Sequence, residues 1–247
     1  MKNPKISVVT ICFNAAKTIE ETINSVINQS YKNFEYIIID ACSTDGTLDI
    51  IKKYEDKISY FVSEPDYGLY HAMNKGIEQA TGDIVGLINA DDYYFEDAFA
   101  NVVKAYDEKN LNDYIFFGDM IHGENLVKGW RPEYLNISAF GAHPPMFVPK
   151  KIYDRIGVYK LQYKILSDYD FMFRAFNVKG IKPIYLPIKT AFFRPGGLAS
   201  QNIFRSYTEE MLIKVDNGQA IYKAFFIYLL KLLKFNIFSI FNMGKQS

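Results

Sequence analysis

Asp91 and Asp92 stand side by side after the apolar run Ile84-Val85-Gly86-Leu87-Ile88, and adjacent carboxylates are costly to keep ionised together unless a cation compensates them. A hard divalent ion such as Mg²⁺ or Mn²⁺ is the natural counterion, since it takes oxygen ligands and commonly shares them with substrate phosphates. The plainer alternative is a solvated turn in which one of the two carboxylates caps a helix beginning near Glu96. Asp40 closes a second apolar run, and Phe13 follows a third, where a ring can either stack on a base or join the core. No Gly-x-Gly-x-x-Gly follows the first strand and the chain has no Walker-type lysine loop, which disfavours a dinucleotide-dependent dehydrogenase or a P-loop enzyme.

The elements that position these groups read as βαβ units and a parallel sheet. Ile6 to Ile11 and Phe34 to Ile39 are short β-rich runs, separated by Thr18 to Gln29 with Ile19, Ile23, Val26 and Ile27 on one helical face. Thr44-Asp45-Gly46-Thr47 turns into a short helix, Ile58 to Val62 is a third strand, and Leu69 to Thr81 is a helix ended by Gly82. Ile84 to Ile88 is the fourth strand. Asp40 and the Asp91-Asp92 pair then fall at carboxyl ends of strands, where open α/β sheets bind ligands. Beyond Asp92 we expect a helix near Glu96 to Asp107, a strand from Tyr114 to Gly118 and a hairpin turning at Gly123-Glu124-Asn125. After these come an irregular stretch from Ala142 to Pro149, a helix from Tyr169 to Val178, and a loop at Arg194-Pro195-Gly196-Gly197 that could act as a lid.

A chain of 247 residues suits one large α/β domain. Its 28 basic and 28 acidic residues leave no global field for nucleic acid, which we exclude from the expected partners. Cys12 and Cys42 form neither a disulfide framework nor a metal spacing and read as small buried apolar residues. The N-terminal segment has no apolar signal core, so a cytoplasmic location is expected.

Four segments occur in order: Ser7-Val8-Val9-Thr10-Ile11-Cys12-Phe13-Asn14; Ile39-Asp40-Ala41-Cys42-Ser43-Thr44-Asp45-Gly46-Thr47; Ser63-Glu64-Pro65-Asp66-Tyr67-Gly68-Leu69-Tyr70-His71-Ala72-Met73-Asn74-Lys75-Gly76; and Thr81-Gly82-Asp83 leading to Asn89-Ala90-Asp91-Asp92. Together they resemble a family 2 glycosyltransferase of GT-A fold. The resemblance implies a mostly parallel nucleotide-binding sheet flanked by helices, a divalent cation (Mn²⁺ or Mg²⁺), a nucleotide-sugar donor with UDP-sugars favoured, and a saccharide or lipid-linked saccharide acceptor. It also implies roles by position. Phe13 and Asp40 fall on the base pocket, Asp91 on the donor ribose contact, Asp92 on the metal ligand and Asp66 on a further donor-pocket carboxylate. Asp168, in Ser167-Asp168-Tyr169-Asp170, falls on the catalytic base. His143 reads either as a hydrogen-bonded structural residue or, by the resemblance, as a phosphate or metal contact. The chain departs from the commonest pattern at Ala41, Met73 and Ser167, where many relatives carry Asp, Arg and Glu.

The expected chemistry is an inverting single displacement. The acceptor hydroxyl loses its proton to a carboxylate, and negative charge on the departing diphosphate is met by a bound cation. Residues 1–215 read as the catalytic domain, with a nucleotide-sugar half at 1–110 and an acceptor half at 111–215, and residues 216–247 as a C-terminal extension. That extension reads as an aromatic amphipathic helix from Ile221 to Asn242, with Lys223, Lys231 and Lys234 within roughly 80° of one another. It suits the cytoplasmic face of the inner membrane, with a core helix or a dimer interface as the competing readings. The rival functions are a sugar-phosphate nucleotidyltransferase, which normally carries a Gly-rich basic loop after its first strand, and a non-catalytic nucleotide-sugar-binding partner of another transferase.

Overall fold

The computed structural model describes residues 3–109, 113–129, 135 and 143–243, the side chains of 107–109 and 236–243 excepted. Strand β1 (Ile6–Cys12) is buried along its whole length and lies between β2 (Phe34–Asp40) and β4 (Ile84–Asn89), both parallel to it, with β3 (Tyr60–Ser63) outside β2. In β1, β2 and β4, burial on both faces is what lets the strands be Ile/Val-rich runs instead of alternating ones. Val9, Ile11, Ile37, Ile39, Val85 and Leu87 enter one core, and Ile6, Val8, Ile38, Ile84 and Ile88 enter the other. Helix α1 (Ile19–Ile27) packs into the second core through Ile19, Ile23 and Val26, and the short α2 (Thr47–Lys52) adds Ile51. Helix α3 (Leu69–Gln79) packs on the first so closely that a Cβ at Gly76 would sit 2.2 Å from Val9 Cγ1. The register pairs Cys12 with Asp40 and Ile11 with Asn89, so the loops that carry the candidate groups leave the sheet at one level.

The second half extends the same sheet. After β5 (Tyr93–Tyr94) and α4 (Ala98–Lys109) come β6 (Tyr114–His122), β7 (Asn125–Val127), β8 (Met146–Pro149) and β9 (Lys182–Phe193). Among the described residues the nine strands run β3-β2-β1-β4-β8-β6-β9-β5, with β7 paired to β6. The hairpin at Gly123-Glu124 is present, with His122 opposite Asn125.

One expectation is corrected here, and one strand had not been foreseen. The stretch expected to be irregular begins at Ala142, outside the described residues, and its end, Met146–Pro149, is strand β8, antiparallel to both β4 and β6. Strand β9 was not expected. Its prolines are tolerated because Pro183 sits at the strand start, and Pro187 falls in the interval where pairing with β6 shifts register, between Phe117 and Asp119.

Helices α5 (Lys150–Ile156) and α6 (Ser167–Asn177) cover the first core. They are followed by α7 (Leu198–Gln201), α8 (Ile203–Asp216) and α9 (Ile221–Met243). The expected C-terminal helix is therefore present, but its lysines do not form a common free stripe. Lys231 Nζ lies 2.7 and 2.6 Å from the two carboxylate oxygens of Glu210 on α8, which spends its charge inside the protein. Phe204 and Phe235 add an edge-to-face contact between the same helices. Ile221, Tyr222, Phe225, Phe226, Leu230 and Leu233 stay exposed, and Ile237, Phe238, Ile240 and Phe241 have side chains outside the described set. No helix among the described residues is long and apolar enough to cross a membrane.

Candidate active site

The loops after β1, β2 and β3 are tied together by Asp40. Its carboxylate is fully buried and accepts hydrogen bonds from the Ser43 N–H (2.9 Å), the Ser43 hydroxyl (2.5 Å) and the Ser63 hydroxyl (2.6 Å), with the Cys12 thiol at 3.3 Å. Burial foremost, and then the Asp40 charge, push the Cys12 thiol far up, so it stays neutral. With both oxygens of Asp40 engaged, a ligand meets this carboxylate through Ser43, Ser63 or the loop it shapes. Phe13, 63% exposed, stands on the adjoining loop, where Asn14 holds a left-handed φ of 49° and bonds Ser43 and Thr44. Cys42 is exposed at φ 58°, which corrects the expectation that both cysteines are buried. Asp66 accepts the Gly68 N–H at 2.7 Å, and this turn starts α3 with Tyr67 standing out beside it.

Asp92 is 1% exposed. Its Oδ1 accepts the backbone N–H of Arg194 at 2.8 Å and its Oδ2 accepts Asn89 Nδ2 at 3.0 Å, while no Lys or Arg side chain among the described residues pairs with it. Burial, and second the neighbouring Asp91 charge, raise its carboxyl to about 7. A solvated helix-capping turn is ruled out by position: α4 begins at Ala98, and strand β5 lies between it and Asp92. Asp91 is exposed, and its carbonyl accepts Arg194 Nε at 2.9 Å while Arg194 also pairs with Glu21 at 2.7 Å. The loop expected to be a lid is strapped to the Asp91-Asp92 turn by these contacts.

From Asp92 a polar row runs across the sheet into the second half. Asn89 bridges Asp92 to His143, whose Nε2 lies 3.2 Å from Asn89 Oδ1, and His143 Nδ1 lies 3.7 Å from Asp168 Oδ2. Asp168 Oδ1 accepts the Tyr169 N–H at 2.9 Å and lies 3.0 Å from the Tyr70 hydroxyl. Strand β8 is the reason His143 reaches this row, because it sets the segment after His143 beside β4, the strand that ends in Asn89. Asp170, two residues on, is fully buried between Lys160 (3.0 Å) and Arg174 (2.8 Å), so it has no path to a substrate proton.

Asp92, His143 and Asp168 are thus brought together; Asp40 with Phe13, and Asp66, lie on neighbouring loops at the same strand ends. Asn89, Tyr70 and Arg194 were not foreseen as site residues. Asn89 carried a signal, since it ends the same strand as the Asp pair, whereas Tyr70 and Arg194 are distant in sequence from the groups they touch.

Among the described residues no group of three or more His, Cys, Asp or Glu side chains is placed to hold a metal ion. What the residues offer a cation is a partial ligand set that a bound substrate would have to complete. Asp92 offers a buried carboxylate without a Lys or Arg counterion among the described residues, Asp91 adds a second negative charge beside it, and His143 stands across Asn89; phosphate oxygens and water would supply the other ligands of a cation held there.

Comparison with known proteins bears on the family and the fold. The chain is 26% identical over 225 residues to a PGL/p-HBAD biosynthesis glycosyltransferase of Mycobacterium bovis, covering 88% of each chain. Its fold is similar to the mannosyltransferase PcManGT of Pyrobaculum calidifontis in complex with GDP-Man and Mn²⁺ (TM-score 0.68, 20% identity, 94% of this chain and 70% of that one). It is also similar to S. aureus TarS 1-349 in complex with UDP-GlcNAc (TM-score 0.65, 18% identity, 91% of this chain and 70% of that one), and spans only 42% of a longer TarS chain. The GT-A architecture is therefore present, and since residues 7–182 match the model of Glycosyl transferase family 2, the chain belongs to that family and is a glycosyltransferase.

Proposed function

We propose that the protein is an inverting, metal-dependent transferase that moves a sugar from a nucleotide-sugar, with UDP-sugars favoured, to a hydroxyl of a saccharide or lipid-linked saccharide in the assembly of a bacterial surface glycoconjugate. The observation that carries this reading is the row Asp92-Asn89-His143-Asp168, which sets a cation-seeking carboxylate at one end and a second carboxylate, without a Lys or Arg partner among the described residues, at the other. Asp92, with Asp91 beside it, receives the donor diphosphate, and Phe13 and the Asp40 loop take the base. A divalent cation at Asp92 supplies charge neutralisation of the departing diphosphate. Asp168 accepts the acceptor proton as the hydroxyl attacks, and one displacement inverts the anomeric centre. The M. bovis relative's name, a PGL/p-HBAD biosynthesis glycosyltransferase, and the UDP-GlcNAc and GDP-Man complexes of the two solved structures support a nucleotide-sugar donor and a biosynthetic product.

A hydrolysis screen of UDP-GlcNAc, UDP-glucose, UDP-galactose and GDP-mannose tests the reading. We expect slow UDP release from one UDP-sugar with Mn²⁺ and none with a chelator. Release that ignores the chelator refutes the metal role, and synthesis of nucleotide-sugar from UTP and a sugar phosphate establishes the nucleotidyltransferase instead.

Within this reading, residues 1–215 are the catalytic unit and 216–247 a peripheral anchor on the cytoplasmic face of the inner membrane. The exposed apolar side chains of α9, with Lys223 and Lys234 exposed on the same helix, suit an anionic lipid surface. Replacing Lys223 and Lys234 with Glu is expected to weaken sedimentation with anionic vesicles by about 1 kcal/mol per residue at low salt, and less at high salt. Lys231→Glu is expected to unseat α9 from Glu210 instead. Equal vesicle binding by the wild type and the Lys223/Lys234 variant refutes the anchor.

A further inference from the structure

We infer that Glu209, on α8, is a positioning residue that sets Asp168 for proton transfer. The inference rests on the reading of Asp168 as the base. Glu209 is 5% exposed, yet its carboxylate belongs to no element of the polar row. It accepts three successive backbone N–H groups, those of Lys164 (2.9 Å), Ile165 (2.8 Å) and Leu166 (3.1 Å), immediately before α6 begins at Ser167. Consecutive N–H groups converging on one anion make a rigid cradle, and bonds to a carboxylate are roughly twice as strong as neutral ones. Arg205, one helical turn earlier, holds Oε1 from the outer side at 2.9 Å.

The fixed segment is the one that presents Asp168. The Tyr70 hydroxyl lies 2.7 Å from the Ile165 carbonyl and 3.0 Å from Asp168 Oδ1, so one phenol touches both the segment and the base. Burial first, and then the Asp168 charge, hold the Tyr70 phenol in its protonated form. The phenol donates within reach of both oxygens, so the Ile165 carbonyl and Asp168 are held at a fixed spacing from one donor. The peptide at Ile165, whose N–H is held by Glu209, therefore fixes where the base and its hydrogen-bond partner stand. Lys164 Nζ, 3.3 Å from the Tyr67 carbonyl, ties the same segment to the Asp66 turn.

The test compares wild type, Glu209→Gln, Arg205→Ala and Asp168→Asn in three measurements. Steady-state UDP release from UDP-GlcNAc with Mn²⁺ is read beside UDP affinity by calorimetry, and hydrogen exchange is followed in the peptide spanning 164–170. Gln turns a donor toward N–H groups that need an acceptor. We expect at least tenfold faster exchange at 164–166, unchanged exchange in β1, β2 and β4, at least a tenfold lower kcat, and UDP affinity within twofold of wild type. Arg205→Ala keeps the three N–H bonds to Glu209 and should stay within twofold in all three measurements. Exchange needs no turnover and decides by itself if UDP-GlcNAc is a poor donor. Unchanged exchange at 164–166, or faster exchange throughout the protein, overturns the positioning role. Should Glu209→Gln not fold, Glu209→Asp, which keeps the charge and retracts it by one methylene, carries the same test. Normal turnover in Asp168→Asn would instead sink the base assignment, whereas loss in Asp168→Asn with normal turnover and exchange in Glu209→Gln would sink the Glu209 inference alone.

Discussion

Asp92→Asn is expected to abolish the Mn²⁺-dependent part of UDP binding, with a loss of more than about 100-fold in metal affinity, since even groups that only orient metal ligands cost 10- to 100-fold. The fold should survive, because the amide retains an oxygen for the Arg194 N–H and the strand-end turn keeps its backbone bonds. Calorimetry with UDP, with and without Mn²⁺, reads the difference. The pH dependence gives a second reading of the same residue. In the metal-free protein the carboxyl is raised to about 7, and a cation binds its ionised form. Mn²⁺ affinity should therefore climb about tenfold per pH unit below 7 and level off above it. The mutant should show no such slope. A metal-dependent UDP affinity that persists in Asp92→Asn, with the slope intact, removes Asp92 from the metal site.

Asp168→Asn is expected to bind UDP with wild-type affinity while donor turnover falls by about 10² to 10⁴, the usual contribution of a general base. The amide oxygen can still accept the Tyr169 N–H and the Tyr70 hydroxyl, so the helix start should hold its shape. The other acid of the motif cannot take over. Asp170, the alternative acid in the same motif, is fully buried and neutralised by Lys160 and Arg174. Parallel measurement of UDP affinity and UDP release separates the outcomes, and a collapse of both places Asp168 in the donor pocket.

The parts that were legible before folding share one property: their signal lies within a dozen residues. The runs ending in Cys12, Asp40 and Asn89 are unbroken and β-branched because both faces of a parallel sheet are covered, and α1 and α3 show helical spacing because each turns one face to that sheet. The Asp91-Asp92 pair advertises itself, since two adjacent charges at a strand end ask for a cation. Strands β8 and β9 gave no comparable signal. Met146–Pro149 is short and ends in proline, and Lys182–Phe193 carries two prolines that argue against a strand until the register shift beside Gly118 is seen.

By itself, then, the sequence determined the parallel core, the placement of Asp40, Asp91 and Asp92 at its carboxyl edge, and the family to which the chain belongs, because hydrophobic period and motif order are local properties. Only the tertiary structure decided that Asn89 links Asp92 to His143, that His143 meets Asp168 and that Asp170 is neutralised. It also decided that Lys231 pairs with Glu210, and that Arg194 straps the Asp91-Asp92 turn from about a hundred residues away. Apart from the Asn89–Asp92 bond and the pairs that Asp170 makes with Lys160 and Arg174, which join near neighbours in the chain, each of these is a hydrogen bond or ion pair between groups far apart in the chain. Such bonds leave no period in the sequence, because their partners are chosen by which strand ends and helix faces the packed core brings within 3 to 4 Å.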